Sequence, residues 1–140
     1  MGAIKDIVEA IEARMVVLGY LETEEVFDFD AVPDSVIDGS FRIEVEGVES
    51  IYDSGNVGRK IDSIDIWIAF KELRKPRTQW KTALDARETI EVDLINHASI
   101  SGLSSDPLLV MDREASVEKY LGDYLILKLA FSCDYLRDIS

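Results

Sequence analysis

Between Asp123 and Asp138, the residues Leu125, Leu127, Leu129, Phe131, Cys133 and Tyr135 recur at every second position. An α-helix would scatter these side chains around its axis, whereas a strand places them all on one face. The chain must therefore build a sheet with a buried side. A second segment has the same period, with Ile64, Ile66, Ile68 and Phe70 on one face and Asp65, Trp67, Ala69 and Lys71 on the other. From Ser40 to Gly47, Phe41, Ile43 and Val45 alternate with Arg42, Glu44 and Glu46. Pro107 to Asp112 reads as a further strand. Arg113 to Gly122 reads equally as its extension or as a short helix ended by Gly122.

Two segments change period. Ile4, Ile7, Val8, Ile11, Met15 and Leu18 fall at helical spacing, with Lys5, Asp6, Glu9, Glu12 and Arg14 on the other side and Gly19 as a stop. After Pro76, Thr78 is placed to cap a helix running to about Asn96 or His97, with Trp80, Ala83, Leu84, Ile90 and Leu94 as its apolar stripe. Arg87 interrupts that stripe and is expected to lay its aliphatic stem along it. Ser99 to Asp106 reads as a polar turn region. The expected fold is α+β: an antiparallel sheet of about four strands with two helices packed on one face, in the order α-β-β-α-β-β. A chain of 140 residues suits a single domain spanning 1–140.

Two connections stand out. Tyr20 to Gly39 carries Glu22, Glu24, Glu25, Asp28, Asp30, Asp34 and Asp38, and no Lys or Arg lies between Arg14 and Arg42. A connection this long is unusual in a compact domain and is often functional; a short strand is expected near Val26 to Phe29. Ile51 to Lys60, with Asp53, Ser54, Gly55, Asn56 and Gly58, reads as the long, mobile tip of the hairpin between the first two strands.

The residues offer little for catalysis. His97 is the only histidine and Cys133 the only cysteine, so no internal disulfide forms and one chain cannot supply a zinc site. Cys133 falls on the apolar face of a core strand, where a free thiol behaves as a small hydrophobe. His97, near a helix end, is better placed as a partner for the helix dipole. Asp28-Phe29-Asp30 and Asp62-Ser63-Ile64-Asp65 lack calcium-loop spacing and read as solvated carboxylates, with an ion shared between subunits left open. Gly55-Asn56-Val57-Gly58 lacks the Lys-Ser/Thr of a phosphate loop. No catalytic residue, cofactor or metal is expected.

The N-terminus reads as an amphipathic helix rather than a signal peptide, and Asp6 stands where a myristoylation pattern needs Ser or Thr. No apolar run reaches the roughly 18 residues that a membrane span needs. A formal net charge of −13 argues against wrapping nucleic acid or adsorbing to anionic membranes.

Five of the 15 Lys and Arg residues nevertheless crowd into Lys71-Glu72-Leu73-Arg74-Lys75-Pro76-Arg77-Thr78-Gln79-Trp80-Lys81. One reading is a solvated strand-to-helix connection. Against it, Arg74, Lys75, Arg77 and Lys81 surround a helix N-terminus, where the dipole disfavours cations. An anionic partner would hold them there, and Glu22 to Asp38 is such a surface. If the two patches lie on opposite flanks they meet only between neighbouring copies, head to tail, and such contacts close into rings when the rotation permits. The expected subunit interface comprises Lys71, Arg74, Lys75, Arg77 and Lys81 against Glu22, Glu24, Glu25, Asp28 and Asp30.

The element order, Val32-Pro33-Asp34-Ser35 followed by Gly39-Ser40-Phe41-Arg42-Ile43, and the closing Gly122-Asp123-Tyr124-Leu125-Ile126-Leu127-Lys128-Leu129 with Asp134-Tyr135 resemble tail terminator proteins of long-tailed bacteriophages. The resemblance spans nearly the whole chain on loose motifs. It implies a structural protein of the virion neck, assembled in the host cytoplasm. It implies a ring, a hexamer in that family, that caps the tail tube and joins it to the head connector, with DNA only as passing cargo. It also implies that Asp53, Ser54, Gly55, Asn56 and Gly58 form a mobile docking loop. A small acidic module binding a basic protein, another neck or tail-completion protein, and a carboxylate enzyme are the competing readings.

Overall fold

The computed structural model describes residues 3–52, 57–71, 76–121 and 123–138. The chain runs α1 (Ala3–Val17), β1 (Leu21–Glu22), β2 (Ser40–Tyr52), β3 (Val57–Lys71), α2 (Pro76–Asn96), α3 (Ala98–Ser101), β4 (Leu108–Leu121) and β5 (Tyr124–Asp138). The strands form one five-stranded sheet in the order β1-β2-β3-β5-β4. The α+β class matches expectation, but the sheet has five strands where about four were expected, and β1 and α3 add to the expected order α-β-β-α-β-β. The sheet is mixed rather than wholly antiparallel, because β1 pairs parallel with β2, Leu21 opposite Ser40 and Glu22 opposite Phe41.

Period-2 patterning sets the faces. Phe41, Ile64, Ile66, Ile68, Phe70 and the alternate residues of β5 from Leu125 to Tyr135 are buried with Ile7, Ile11 and Met15 of α1 and Ala83, Ala86, Ile90 and Leu94 of α2. This is the main core, with both long helices on one side of the sheet. Register carries it across the strands: Ile43 lies opposite Ile66, and Ile66 opposite Leu129. The helices are tied to each other where Arg14 donates from Nε and Nη2 to the two oxygens of Asp93, at 3.0 and 2.8 Å. This two-pronged contact holds the Asp93 carboxyl below its usual range.

The helix boundaries follow local chemistry. Gly19, with φ of 101°, ends α1 as expected. α2 begins at Pro76, earlier than a Thr78 cap would have it. Proline suits the first helical position because its missing N–H would have no intrahelical partner there. Thr78 is inside the helix, and its carbonyl accepts from Thr82 Oγ1 at 3.0 Å. Arg87 is exposed, and Ala86 holds the buried position beside it.

The long acidic connection is not a loose loop. Residues 23–39 lie across the sheet face opposite the helices. Phe27 and Val36 are buried there with Trp67, Ala69, Tyr124 and Ile126, and Phe29 and Val32 pack against them. The strand expected near Val26 to Phe29 is absent. Asp28 instead closes a turn, its Oδ1 accepting from the N–H groups of Asp30 and Ala31 at 2.8 and 3.0 Å. Short-range carboxylate-to-backbone bonds outcompete a ladder at such a site. The ambiguous stretch after Asp112 is strand, continuing β4 to Leu121 with a register shift between Met111 and Ser116.

Candidate functional site

Three features of the surface carry the charge and the unpaired backbone on which a function could rest. The first is the cation cluster. Lys71 ends β3 and is exposed, with its Nζ 5.3 Å from the centroid of the Tyr124 ring. Its backbone N–H donates to Asp38 Oδ1 at 2.7 Å, and Gly39 N–H donates to the Ala69 carbonyl at 2.8 Å. The acidic connection therefore ends against Lys71, the first residue of the basic segment, while Arg77 and Lys81 stand on α2, on the other side of the sheet from residues 23–39. The cause is the hairpin itself. Pairing Ser40 with Ala69 brings the residues before β2 beside those after β3. Arg77 and Lys81 are exposed on the first turns of α2, and the Arg77 guanidinium sits 5.0 Å from the Trp80 ring centroid. A cation over an aromatic face offsets the unfavourable dipole there without any outside partner. Arg74 and Lys75 lie outside the described residues.

The acidic members are dispersed. Glu22 is on β1, while Glu24, Glu25 and Asp30 are exposed along the connection. Asp28 is committed to its turn, and the two backbone N–H donors hold its carboxyl below the usual range. The Glu12 carboxyl is pushed up to about 7, first by a hydrogen bond with Glu22, then by burial and the charges of Glu22 and Glu9. Of the expected docking loop, Asp53, Ser54, Gly55 and Asn56 lie outside the described residues. Gly58 is not in a loop: it is a β3 residue opposite Tyr52 and Arg137. Pairing of β3 with β5 all the way from Val57 overrides the local turn composition.

The second feature is a polar-aromatic cluster on the outer sheet face. Trp67 on β3 is flanked by Arg42 on β2 and Lys128 on β5, whose charged groups stand 4.8 and 5.2 Å from its ring centroid. Phe29 from the connection closes on the ring at 4.9 Å. The Trp67 indole N–H donates to Glu44 at 3.2 Å, and Arg42 pairs with the same carboxylate at 2.7 Å. Arg42 Nε also donates to the Phe27 carbonyl at 2.7 Å. Asp65 pairs with Lys128 at 3.7 Å, yet burial raises its pKa. These groups satisfy one another and clamp the connection onto the sheet. Only the alternation of Arg42, Trp67 and Lys128 in their strands signalled this face.

The third feature is the sheet's two edges. β1 covers β2 only at Ser40 and Phe41, so among the described residues β2 has no strand partner on that flank from residue 43 to 52. On the other flank, no strand among the described residues pairs with the outer side of β4. Large apolar side chains are exposed on both: Val45 at 43 %, Leu108 at 60 % and Val110 at 51 %. Unpaired N–H and C=O groups beside exposed aliphatics form a template for another strand.

Interior chemistry points away from nucleophilic catalysis at Cys133. The thiol is buried and pushed up to about 12, by desolvation and then by the charges of Asp62 and Asp134. A cavity of about 600 Å³ opens where Arg59 and Asp134 are ion-paired, beside Asp106. Glu12 and Asp65, the carboxyls with a raised pKa among the described residues, do not line it. Among the described residues, no helix is long and apolar enough to cross a membrane. No protein-family model and no curated protein matches this chain.

Proposed function

We propose that this chain is a structural assembly protein that works as a ring of its own copies, of the tail terminator kind that its sequence resembles. The observation that carries the reading is the pair of long, unpaired strand edges on opposite flanks of one sheet. A monomer meant to stay alone blunts such edges or covers them. A monomer with one open edge on each flank can pass the same contact from copy to copy, which closes into a ring when the rotation permits.

In this reading the ring sits at the virion neck, with the tail tube on one side and the head connector on the other. A net charge of −13 per copy keeps passing DNA from adhering, since like charge repels along the channel. The exposed charges of Arg77, Lys81, Glu24, Glu25 and Asp30 tune the contacts between copies or with the neighbouring proteins. Their screening makes the assembly sensitive to salt.

Light scattering after size exclusion, at low and high salt and over a range of protein concentration, tests the proposal. The expected mass is about six times that of one chain, as the tail terminator resemblance implies, with the extent of assembly changing as salt screens the charges between copies. A monomeric mass throughout would overturn it and leave a small acidic module for a basic protein partner.

A further inference from the structure

Strand polarity goes further than the existence of open edges. The inference rests on the self-assembly reading and specifies its joint. β2 is antiparallel to β3, β3 to β5 and β5 to β4. β2 and β4 therefore run in opposite directions on the two flanks. A second copy placed beside the first, with its helices on the same side, presents its β2 antiparallel to the first copy's β4. The sheet continues from copy to copy in the more favourable pairing sense.

The levels agree as well. Following the ladder across the sheet, Val45 lies opposite Ile64, Ile64 opposite Phe131 and Phe131 opposite Met111. Gly47 leads in the same way through Asp62 and Cys133 to Leu109. A level continuation therefore sets Val45 of one copy beside Met111 of the next, both on the helix side of the sheet. It also sets Leu109 beside Gly47, which adds no side chain of its own, although the ends of Lys60 and Asp62 lie over that position. The free part of β2 begins where β1 stops, at residue 43, and that level corresponds on β4 to Ser116. Beyond it, β1 would block a straight strand. β4 is irregular between Met111 and Ser116, at the place where it must turn away from the neighbour's β1. Such irregularities bend a strand.

We propose that the first part of β4, from Leu108 to Met111, adds as an antiparallel strand to the free half of β2 in a second copy of this chain. Pairing β4 with another β4 about a two-fold axis would also be antiparallel, but it would leave both β2 edges open. The head-to-tail joint gives both edges a partner at once.

Complementation tests it. Val45→Glu spoils the β2 edge alone. Leu108→Glu with Val110→Glu spoils the β4 edge alone, and sets a carboxylate level with Glu46 of the neighbour. All three side chains are exposed, and unchanged circular dichroism and urea midpoints check the folds. Each variant alone is expected at the mass of one chain. Their 1:1 mixture is expected at twice that mass and no more, because one good β2 edge and one good β4 edge remain between them. A wild-type assembly in which either variant keeps the wild-type mass, or dimerises alone, or in which the mixture stays monomeric, overturns the joint while leaving self-assembly standing. A monomeric wild type removes both. Hydrogen exchange on wild type provides a check that needs no variant: slower exchange is expected at 43–49 and 108–111 on assembly, and slowing at only one of these edges counts against the joint.

Discussion

Replacing Phe27 with Ala tests whether the acidic connection is a packed layer of the fold. Phe27 is 1 % exposed among Val36, Trp67, Ala69, Tyr124 and Ile126, with the Arg42 guanidinium 5.6 Å from its ring. A buried aromatic removes about 150 Å² or more from water, which at about 25 cal/mol per Å² is roughly 4 kcal/mol. Residual structure in the unfolded chain lowers that figure, and truncations of buried Phe cost about 3–5 kcal/mol. The expected loss is therefore about 3 kcal/mol, seen as a drop of about 1.5–2 M in the urea midpoint at a typical slope. Val26, its neighbour in sequence, is 70 % exposed, so Val26→Ala should stay within about 0.5 kcal/mol of wild type. If Phe27→Ala costs less than about 1 kcal/mol, no better than Val26→Ala, the second hydrophobic layer is wrong.

Two further outcomes follow from Glu12 and the buried Asp62. Glu12, pushed up to about 7 from an ordinary 4.5, holds its proton more tightly in the folded chain than in the unfolded one. The contribution of Glu12 to stability therefore falls as pH rises from about 4.5 to about 7 and then levels off. Glu12→Gln should flatten the melting-temperature profile across that window and be the more stable protein at pH 8; an unchanged profile would refute the raised Glu12 pKa. Tyr135 donates to Asp62 Oδ2 at 2.6 Å, and Lys60 Nζ stands 3.2 Å from the other oxygen of this buried carboxylate. Tyr135→Phe keeps the ring but removes the donor, and should cost about 1.5–3 kcal/mol in urea denaturation; a loss below about 0.5 kcal/mol would show that Lys60 alone satisfies Asp62.

Much of the fold can be read from local pattern. The alternation of Leu125 to Tyr135, of Ile64 to Phe70 and of Phe41 to Val45 determined which residues face the helices. Period 2 leaves a half-buried strand no other arrangement. The 3.6-residue spacing from Ile4 to Leu18, and from Ala83 to Leu94, determined two helices and their inner faces for the same reason. Gly19 and Pro76 punctuated them through their restricted or permissive backbones. The scarcity of histidine and cysteine was likewise plain from the chain alone.

Contacts far apart in sequence decided the rest. Phe27, Phe29, Val32 and Val36 have no regular period, so nothing local marked them as a layer; only the apolar ground of Trp67, Ala69, Tyr124 and Ile126 beneath them did. Leu21 and Glu22 are too few to signal a strand, and their parallel pairing with β2 exists because the connection returns along the sheet's flank. Gly58 reads as a turn residue, but β5 captures it into the ladder. The cation cluster looked like one half of a joint between copies. The hairpin also brings Lys71 of that cluster beside Asp38, because folding a strand back on itself must bring its outer ends together. The open edges of β2 and β4 became visible only with the strand order. A strand's sequence fixes which faces it buries, but which strands border it is set by the whole chain.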